Sequence, residues 1–239
     1  MTAPARLRAI LSLALATVVT TGLTASATAS ATSANTTTKT ADQTVTVDVA
    51  TMSDSELAAI DPAAKLDPPQ YKIRVAIAKK AITQIGQGEH PSQCGGKANC
   101  YPKAYKLKSK NIARPAEWCG VFVNWAWTQG GADKRPSMKG KGVDQGHWAT
   151  YWQKWGKKVK RWHKTPNIGD AIVYGNYPDS THVGVVVGLK YNKKGKVVQV
   201  RTVEGNVGDQ VTDKKWRKIG NLTGRGFKAS GFVSPVAGG

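Results

Sequence analysis

Ten consecutive positions, Trp118-Cys-Gly-Val-Phe-Val-Asn-Trp-Ala-Trp127, leave water almost no face to occupy. At helical periodicity such a stretch is apolar all round and has to be buried on every side, so the rest of the chain must be built around it. Gly130-Gly131 supplies the stop. The same stretch carries Cys119 in the first turn, beside backbone N–H groups that lack intrahelical partners and at the positive end of the dipole. That environment favours thiolate over thiol, and the same N–H groups can hold an oxyanion. A free cysteine is ordinarily one more small buried residue, so Cys119 becomes a nucleophile only if partners for it appear elsewhere in the chain.

The chain begins with Arg6 and Arg8, an apolar run from Ile10 to Val19 and small residues around Ala25-Ser-Ala27 and Ala27-Thr-Ala29. This order predicts a secretory signal peptide over 1–29 and an exported protein in an oxidising compartment. No transmembrane segment is expected in the mature protein, because the leader run is too short to span a bilayer and no other stretch is apolar enough. Residues 30–70 are rich in Thr, Ala and Asp and carry no aromatic residue up to that point, so they are expected as a largely disordered linker or pro-segment. Two patches in it have local signals: the alternating run Thr44-Val-Thr-Val-Asp-Val49, and Ser53-Asp-Ser-Glu-Leu57 with its capping signature. Neither is long enough to be stable alone. Residues 71–239 then form the folded domain.

Charge divides along the same lines. Residues 71–239 hold 31 of the 35 Lys and Arg and 9 of the 15 acidic residues, a net +22, whereas 30–70 carry 2 basic and 6 acidic residues, a net −4. A field of that sign concentrates a protein on polyanions such as anionic wall polymers, anionic lipid or nucleic acid. It carries no information about the fold.

Within the domain, Val75, Ala78, Ile82 and Ile85 share one face, which predicts a helix over 71–85 ended by Gly86. The polar loop that follows holds Cys94 and Cys100. A Cys94–Cys100 disulfide leaves Cys119 free, as a nucleophile requires, although sequence leaves the connectivity open and His90 with the two cysteines is an alternative, incomplete ligand set. Trp148, Trp152 and Trp155 lie on one helical face, expected as core rather than as a sugar-stacking platform. Ala171-Ile-Val-Tyr174 reads as a short strand. His182-Val-Gly-Val-Val-Val-Gly188, the turn Asn192-Lys-Lys-Gly195 and Val197 to Glu204 read as a hairpin. A turn centred near Lys193 and Lys194 places the start of the first strand opposite the end of the second, so His182 is expected beside Glu204, with Asn206 in phase if the strand runs on through Gly205. Of the four histidines, His90, His147 and His163 have ordinary surface readings. His182 alone meets a carboxylate by construction, and together with a cysteine at a helix N-terminus this is the pattern of a Cys–His nucleophile.

Trp118-Cys-Gly-Val-Phe-Val-Asn-Trp125, Gly169-Asp-Ala-Ile-Val173, His182-Val-Gly-Val-Val-Val187 and Val203-Glu-Gly-Asn206, in that order and closing on Gly231-Phe-Val-Ser-Pro235, resemble the CHAP domain, the cysteine, histidine-dependent amidohydrolase/peptidase family. The resemblance runs from about Tyr71 to Pro235. It implies an α+β, papain-like cysteine hydrolase with N-terminal helices packed on an antiparallel β-sheet. It also implies peptidoglycan as substrate, cut as an N-acetylmuramoyl-L-alanine amidase or as a crosslink endopeptidase. By position, Cys119 is the implied nucleophile, His182 the general base and acid, Glu204 the residue that orients His182, and Asn206 a supporting polar group. Some members bind calcium through an acidic loop before the nucleophile; here Lys106 to Pro115 contains no Asp or Glu, and no metal or other cofactor is expected. Papain-like enzymes often place a glutamine shortly before the nucleophile, and residues 112–118 contain none, which leaves the Cys119 backbone N–H as the one named oxyanion donor.

The expected partners are peptidoglycan and anionic wall polymers, with no specific nucleic acid, and the protein is expected to act as a secreted, wall-associated monomer. Two other readings compete. One is a cationic wall- or polyanion-binding module without turnover, which has no need of an intact Cys119, His182 and Glu204 set. The other is an NlpC-type peptidase, against which the Glu-Gly-Asn block after the histidine strand argues.

Overall fold

The computed structural model describes residues 44–88, 118–137, 146 and 148–237. The expected signal peptide, the Cys94–Cys100 pair, His90, His147 and the Lys106–Pro115 loop lie outside the described residues. In chain order the elements are β1 (Val45–Asp48), α1 (Asp54–Ile60), α2 (Pro62–Leu66), α3 (Pro68–Ile82), α4 (Cys119–Gln129), α5 (Ala149–Lys158), β2 (Trp162–His163), β3 (Ala171–Tyr174), β4 (His182–Tyr191), β5 (Val197–Val207), β6 (Gln210–Lys218), β7 (Thr223–Gly224) and β8 (Phe227–Val233). The class is α+β with an antiparallel sheet, in the strand order β2-β8-β3-β4-β5-β6.

The Val-rich β4 is the axis of that sheet, buried along nearly its whole length. On one edge it pairs with β5. Its other edge is shared end to end, with β3 covering His182 to Val185 and β1 covering Gly188 to Tyr191. Helices α3 and α4 pack against β4, and α4 also against β5. The all-apolar α4 accordingly sits in the core, with Val121, Phe122, Val123, Ala126 and Trp127 at most 1% exposed. Gly130 closes it against α3, where a Cβ would collide with Ile77, and Gly131 turns the chain away at φ +85°. Trp127 also packs edge-to-face on Trp152, 5.0 Å between centroids, and Trp155 joins the cluster. Trp152 and Trp155 are therefore core, as expected, while Trp148 stands 44% exposed at the N-cap of α5.

The Gly169-Asp170 turn is a buried knot. Arg74 of α3 donates from Nη1 to Asp170 Oδ1 at 2.6 Å and from Nη2 to Ser234 Oγ at 2.7 Å. The Asn167 N–H donates to Asp170 Oδ2, and His163 Nε2 stands 3.3 Å from the same oxygen. Asp170 is fully buried and burial pushes its pKa up, opposed chiefly by the Arg74 charge. Asp170→Ala strands the Arg74 guanidinium in the interior and is expected to cost about 3–5 kcal/mol, read from denaturant unfolding.

Residues 44–70 differ from the disordered linker expected of them. All the described residues fall in one compact unit, 40–239. Strand β1 supplies the partner that the four-residue β3 is too short to give to the far half of β4. Ser53 and Glu56 form the capping box of α1, Asp61 caps α2, and Asp67 with Pro68 at N1 starts α3 three residues before Tyr71. Val47 and Leu57 are fully buried, and Arg201 bridges Asp48 of β1 at 2.8 Å and Asp213 of β6 at 2.7 Å. Both short patches are marginal in isolation and are held by the sheet they complete. A chain cut to begin at 71 is therefore expected to lose cooperative unfolding or to melt about 10 °C or more below one beginning at 44, since losing two buried apolar side chains and an ion-pair clamp amounts to several kcal/mol. Equal melting temperatures would contradict this.

Candidate active site

The first turn of α4 presents Cys119 immediately after the N-cap Trp118. The first backbone bond of the helix is Phe122 N–H to Trp118 O at 3.0 Å, so the N–H groups of Cys119, Gly120 and Val121 precede the helical ladder. No side chain caps this end. The turn lies directly over β5, because a Cβ at Gly205 would collide with both Phe122 and Trp118. The missing side chain at 205 is thus what lets the helix mouth approach the strand that carries Glu204.

His182 opens β4, 1% exposed, with Tyr174 of β3 directly opposite and their rings stacked 5.7 Å apart. Its Nε2 lies 3.0 Å from Glu204 Oε2. The pairing arises differently from the expected arithmetic. Val185 faces Val203, so one step further along the ladder Gly184, not His182, faces Glu204. A Cβ at 184 would overlap the Glu204 side chain. Glu204 lies across the bare glycine and reaches its diagonal neighbour His182. The two register shifts in the hairpin, at Val186/Gly188 and at Lys190/Tyr191, cancel each other, so counting back from the Tyr191 and Val197 pair also sets Gly184, rather than His182, opposite Glu204.

Glu204 Oε2 is occupied by His182, and Oε1 accepts from Tyr174 O–H at 2.5 Å, Thr202 Oγ1 at 2.7 Å and Arg217 Nη2 at 2.8 Å. Burial opposes ionisation of Glu204, but the His182 contact, then Arg217 and Tyr174, outweigh it and bring the carboxyl down to about 2. An ionised carboxylate only accepts, so Nε2 carries a proton and Nδ1 is the nitrogen left for Cys119. Burial works against charge on His182 as well. The interactions with Cys119 and Glu204 overcome it and push the ring up to about 9. Nδ1 closes no full hydrogen bond at rest, and Cys119 is the first of the groups that raise the ring, ahead of Glu204.

These shifts fix the signs of the pH dependence. His182, raised above its usual 6.5, contributes stability that is complete below about 6.5 and lost as pH rises through about 9; Glu204, depressed from 4.5, contributes stability present above about 4.5 and lost as pH falls through about 2. Glu204→Gln retains an acceptor for Nε2 but not its charge, so the His182 midpoint is expected to fall from about 9 toward the ordinary value. Turnover should drop by about 10²-fold without vanishing. Histidine NMR and a pH–rate profile check the two parts.

Asn206 is buried two residues past Glu204, but the regular alternation expected through Gly205 breaks there. Asn206 sits at φ +62°, in a register shift between Glu204 and Val207, and its carbonyl accepts from Arg225 Nη2 at 2.8 Å. Sequence reading missed Tyr174, Thr202 and Arg217. Thr202 is two positions before Glu204 on the same strand face and was accessible to a period-two argument. Tyr174 needs the β3–β4 register and Arg217 the placement of β6, for which no local signal exists. Cys119 is the free cysteine among the described residues, and no group of three or more His, Cys, Asp or Glu among them is arranged to hold a metal ion. Among the described residues, no helix is long and apolar enough to cross a membrane. Comparisons of the chain with protein-family models, curated proteins and solved structures return no match.

Proposed function

We propose that the chain is an exported, papain-like cysteine hydrolase of the CHAP type, cleaving amide bonds of peptidoglycan. The observation that carries the reading is the buried Cys119, His182 and Glu204 constellation, in which a helix-mouth sulfur is coupled to an imidazole whose far nitrogen is held by an ionised carboxylate 3.0 Å away. Cys119 Sγ attacks the carbonyl carbon of the amide, and the oxygen takes up negative charge opposite the free N–H groups of the first turn of α4. The C–N bond then breaks as the imidazolium of His182 delivers its proton to the departing amine. Water, giving its proton to the same imidazole, attacks the thioester and releases the acid and the sulfur. The net change is addition of one water across one amide. The chemistry asks for no cofactor.

Peptidoglycan as substrate rests on the order of the four sequence blocks, and wall retention rests on charge. The +22 carried by residues 71–239 favours a polyanionic wall. Retention on purified walls is expected to weaken as salt rises, because screening shortens the reach of exposed charges to about 10 Å at 0.1 M ionic strength and less above it. The test of function is clearance of a wall suspension by the full mature chain under reducing conditions. Release of soluble fragments supports the reading. Tight binding without release across several wall types supports the cationic binding module in its place.

A further inference from the structure

Among the described residues, Arg217 is the one guanidinium on Glu204, and its position is specific. It extends from β6 with Nη2 2.8 Å from Glu204 Oε1, 2.6 Å from Thr202 Oγ1 and 2.8 Å from Tyr174 Oη, while Nη1 donates to Thr223 O at 2.8 Å. The contacts of Nη2 converge on the oxygen that His182 does not use, to which Tyr174 and Thr202 also donate. Charge therefore alternates along His182, Glu204 and Arg217, in a pocket where Glu204 and His182 are each 1% exposed and Arg217 is 18% exposed. Among the described residues, the groups on the ring and its carboxylate are Cys119 from α4, Tyr174 from β3, Thr202 and Glu204 from β5, and Arg217 from β6. Arg225, in the β7–β8 turn, is held on the Asn206 carbonyl.

We infer that Arg217 is a positioning residue of the Cys119–His182 couple, acting through Glu204. It fixes the carboxylate with one oxygen toward His182, and it offsets enough of the carboxylate's charge that the imidazolium can still surrender its proton to a leaving amine. A cation on the far side of a carboxylate weakens that carboxylate's hold on the proton beyond it. Removing Arg217 therefore strengthens the hold. The ring stays protonated to higher pH and becomes a poorer acid. Tyr174 O–H acts in the same sense, more weakly, as a neutral donor on the same oxygen.

The turnover consequence rests on the hydrolase reading, but the charge state of His182 can be read without any substrate. The experiment uses the full mature chain labelled with [13Cε1]histidine, with the His182 resonance assigned by its absence in His182→Ala. In Arg217→Met the midpoint of His182 is expected to rise by about half to one unit, and in Tyr174→Phe by less. Arg217→Lys keeps the charge and is expected to stay within about 0.3 units of the wild type. On walls, Arg217→Met is expected to lose about 10- to 100-fold in kcat with KM unchanged, its alkaline limb moving up with the NMR midpoint. A midpoint that stays or falls in Arg217→Met overturns the inference. If that variant does not fold, judged by near-UV circular dichroism, Tyr174→Phe decides: a raised midpoint supports the inference and an unmoved one overturns it. A wild type whose His182 titrates near 9 but which releases nothing from walls sinks the hydrolase reading alone.

Discussion

Cys119→Ser is expected to lower wall hydrolysis by about 10⁴-fold or more while the protein stays folded, because the other members of such a set supply little turnover once the nucleophile is gone. The substitution is nearly isosteric. Cys119 is 1% exposed in the first turn of α4, and a hydroxyl there disturbs neither the Phe122 N–H to Trp118 O bond nor the approach of the helix to Gly205. What changes is the nucleophile: an alcohol oxygen replaces the sulfur at the mouth of α4, and an alcohol is a far weaker nucleophile than a thiol beside the same imidazole. His182→Ala is expected to be as damaging to turnover, and more so to stability, since it leaves Glu204 buried without the contact at 3.0 Å. Turnover is read from fragment release and folding from the melting temperature. A Cys119→Ser protein working at the wild-type rate returns Cys119 to the core.

Gly184→Ala is expected to cost about 10²-fold in kcat and about 1–3 kcal/mol in stability, although residue 184 takes no part in the chemistry. The position faces Glu204 across the ladder, and the Glu204 side chain occupies the space a Cβ would need. β4 is central and buried, so the methyl group cannot be relieved by moving the strand. Glu204 is instead pushed off its diagonal toward His182, and the ring loses both its orientation and the charge behind it. Gly220→Ala is the control, since a Cβ there meets nothing within 4 Å. Equal activity of the two variants would show that Glu204 does not depend on the bare position at 184.

The parts of the site legible in the sequence were those encoded by local pattern. An apolar run with a cysteine at its start announces a buried helix with a reactive mouth, and two Val-rich strands about a Lys-Lys-Gly turn announce a hairpin that returns Glu204 toward His182. Register was less accessible. His182 and Glu204 meet on a diagonal, across a glycine whose absence of side chain, rather than any residue present, makes the contact. Asn206 shows the same limit, since period two holds only while the strand is regular and the chain turns left-handed there. Arg217 and Tyr174 are invisible to local reasoning because they reach Glu204 from strands whose order only the sheet defines. Residues 44–70 were misjudged for the converse reason: a four-residue strand and helices of seven and five residues are weak on their own and are stabilised by a vacant edge of β4 and by Arg201, both far along the chain.

The most direct measurement is mass spectrometry of the soluble fragments released from purified peptidoglycan by the wild-type mature chain and by Cys119→Ser, side by side under reducing conditions. The account predicts that the wild type generates new amine and carboxyl termini at one class of amide. A free stem N-terminal alanine with an intact lactyl acid marks an amidase, and a cut between two amino acids marks an endopeptidase. Cys119→Ser should yield neither above background, and the wild-type rate should decline as pH rises through about 9, where His182 gives up its proton. The same fragments in equal yield from both proteins would contradict the account.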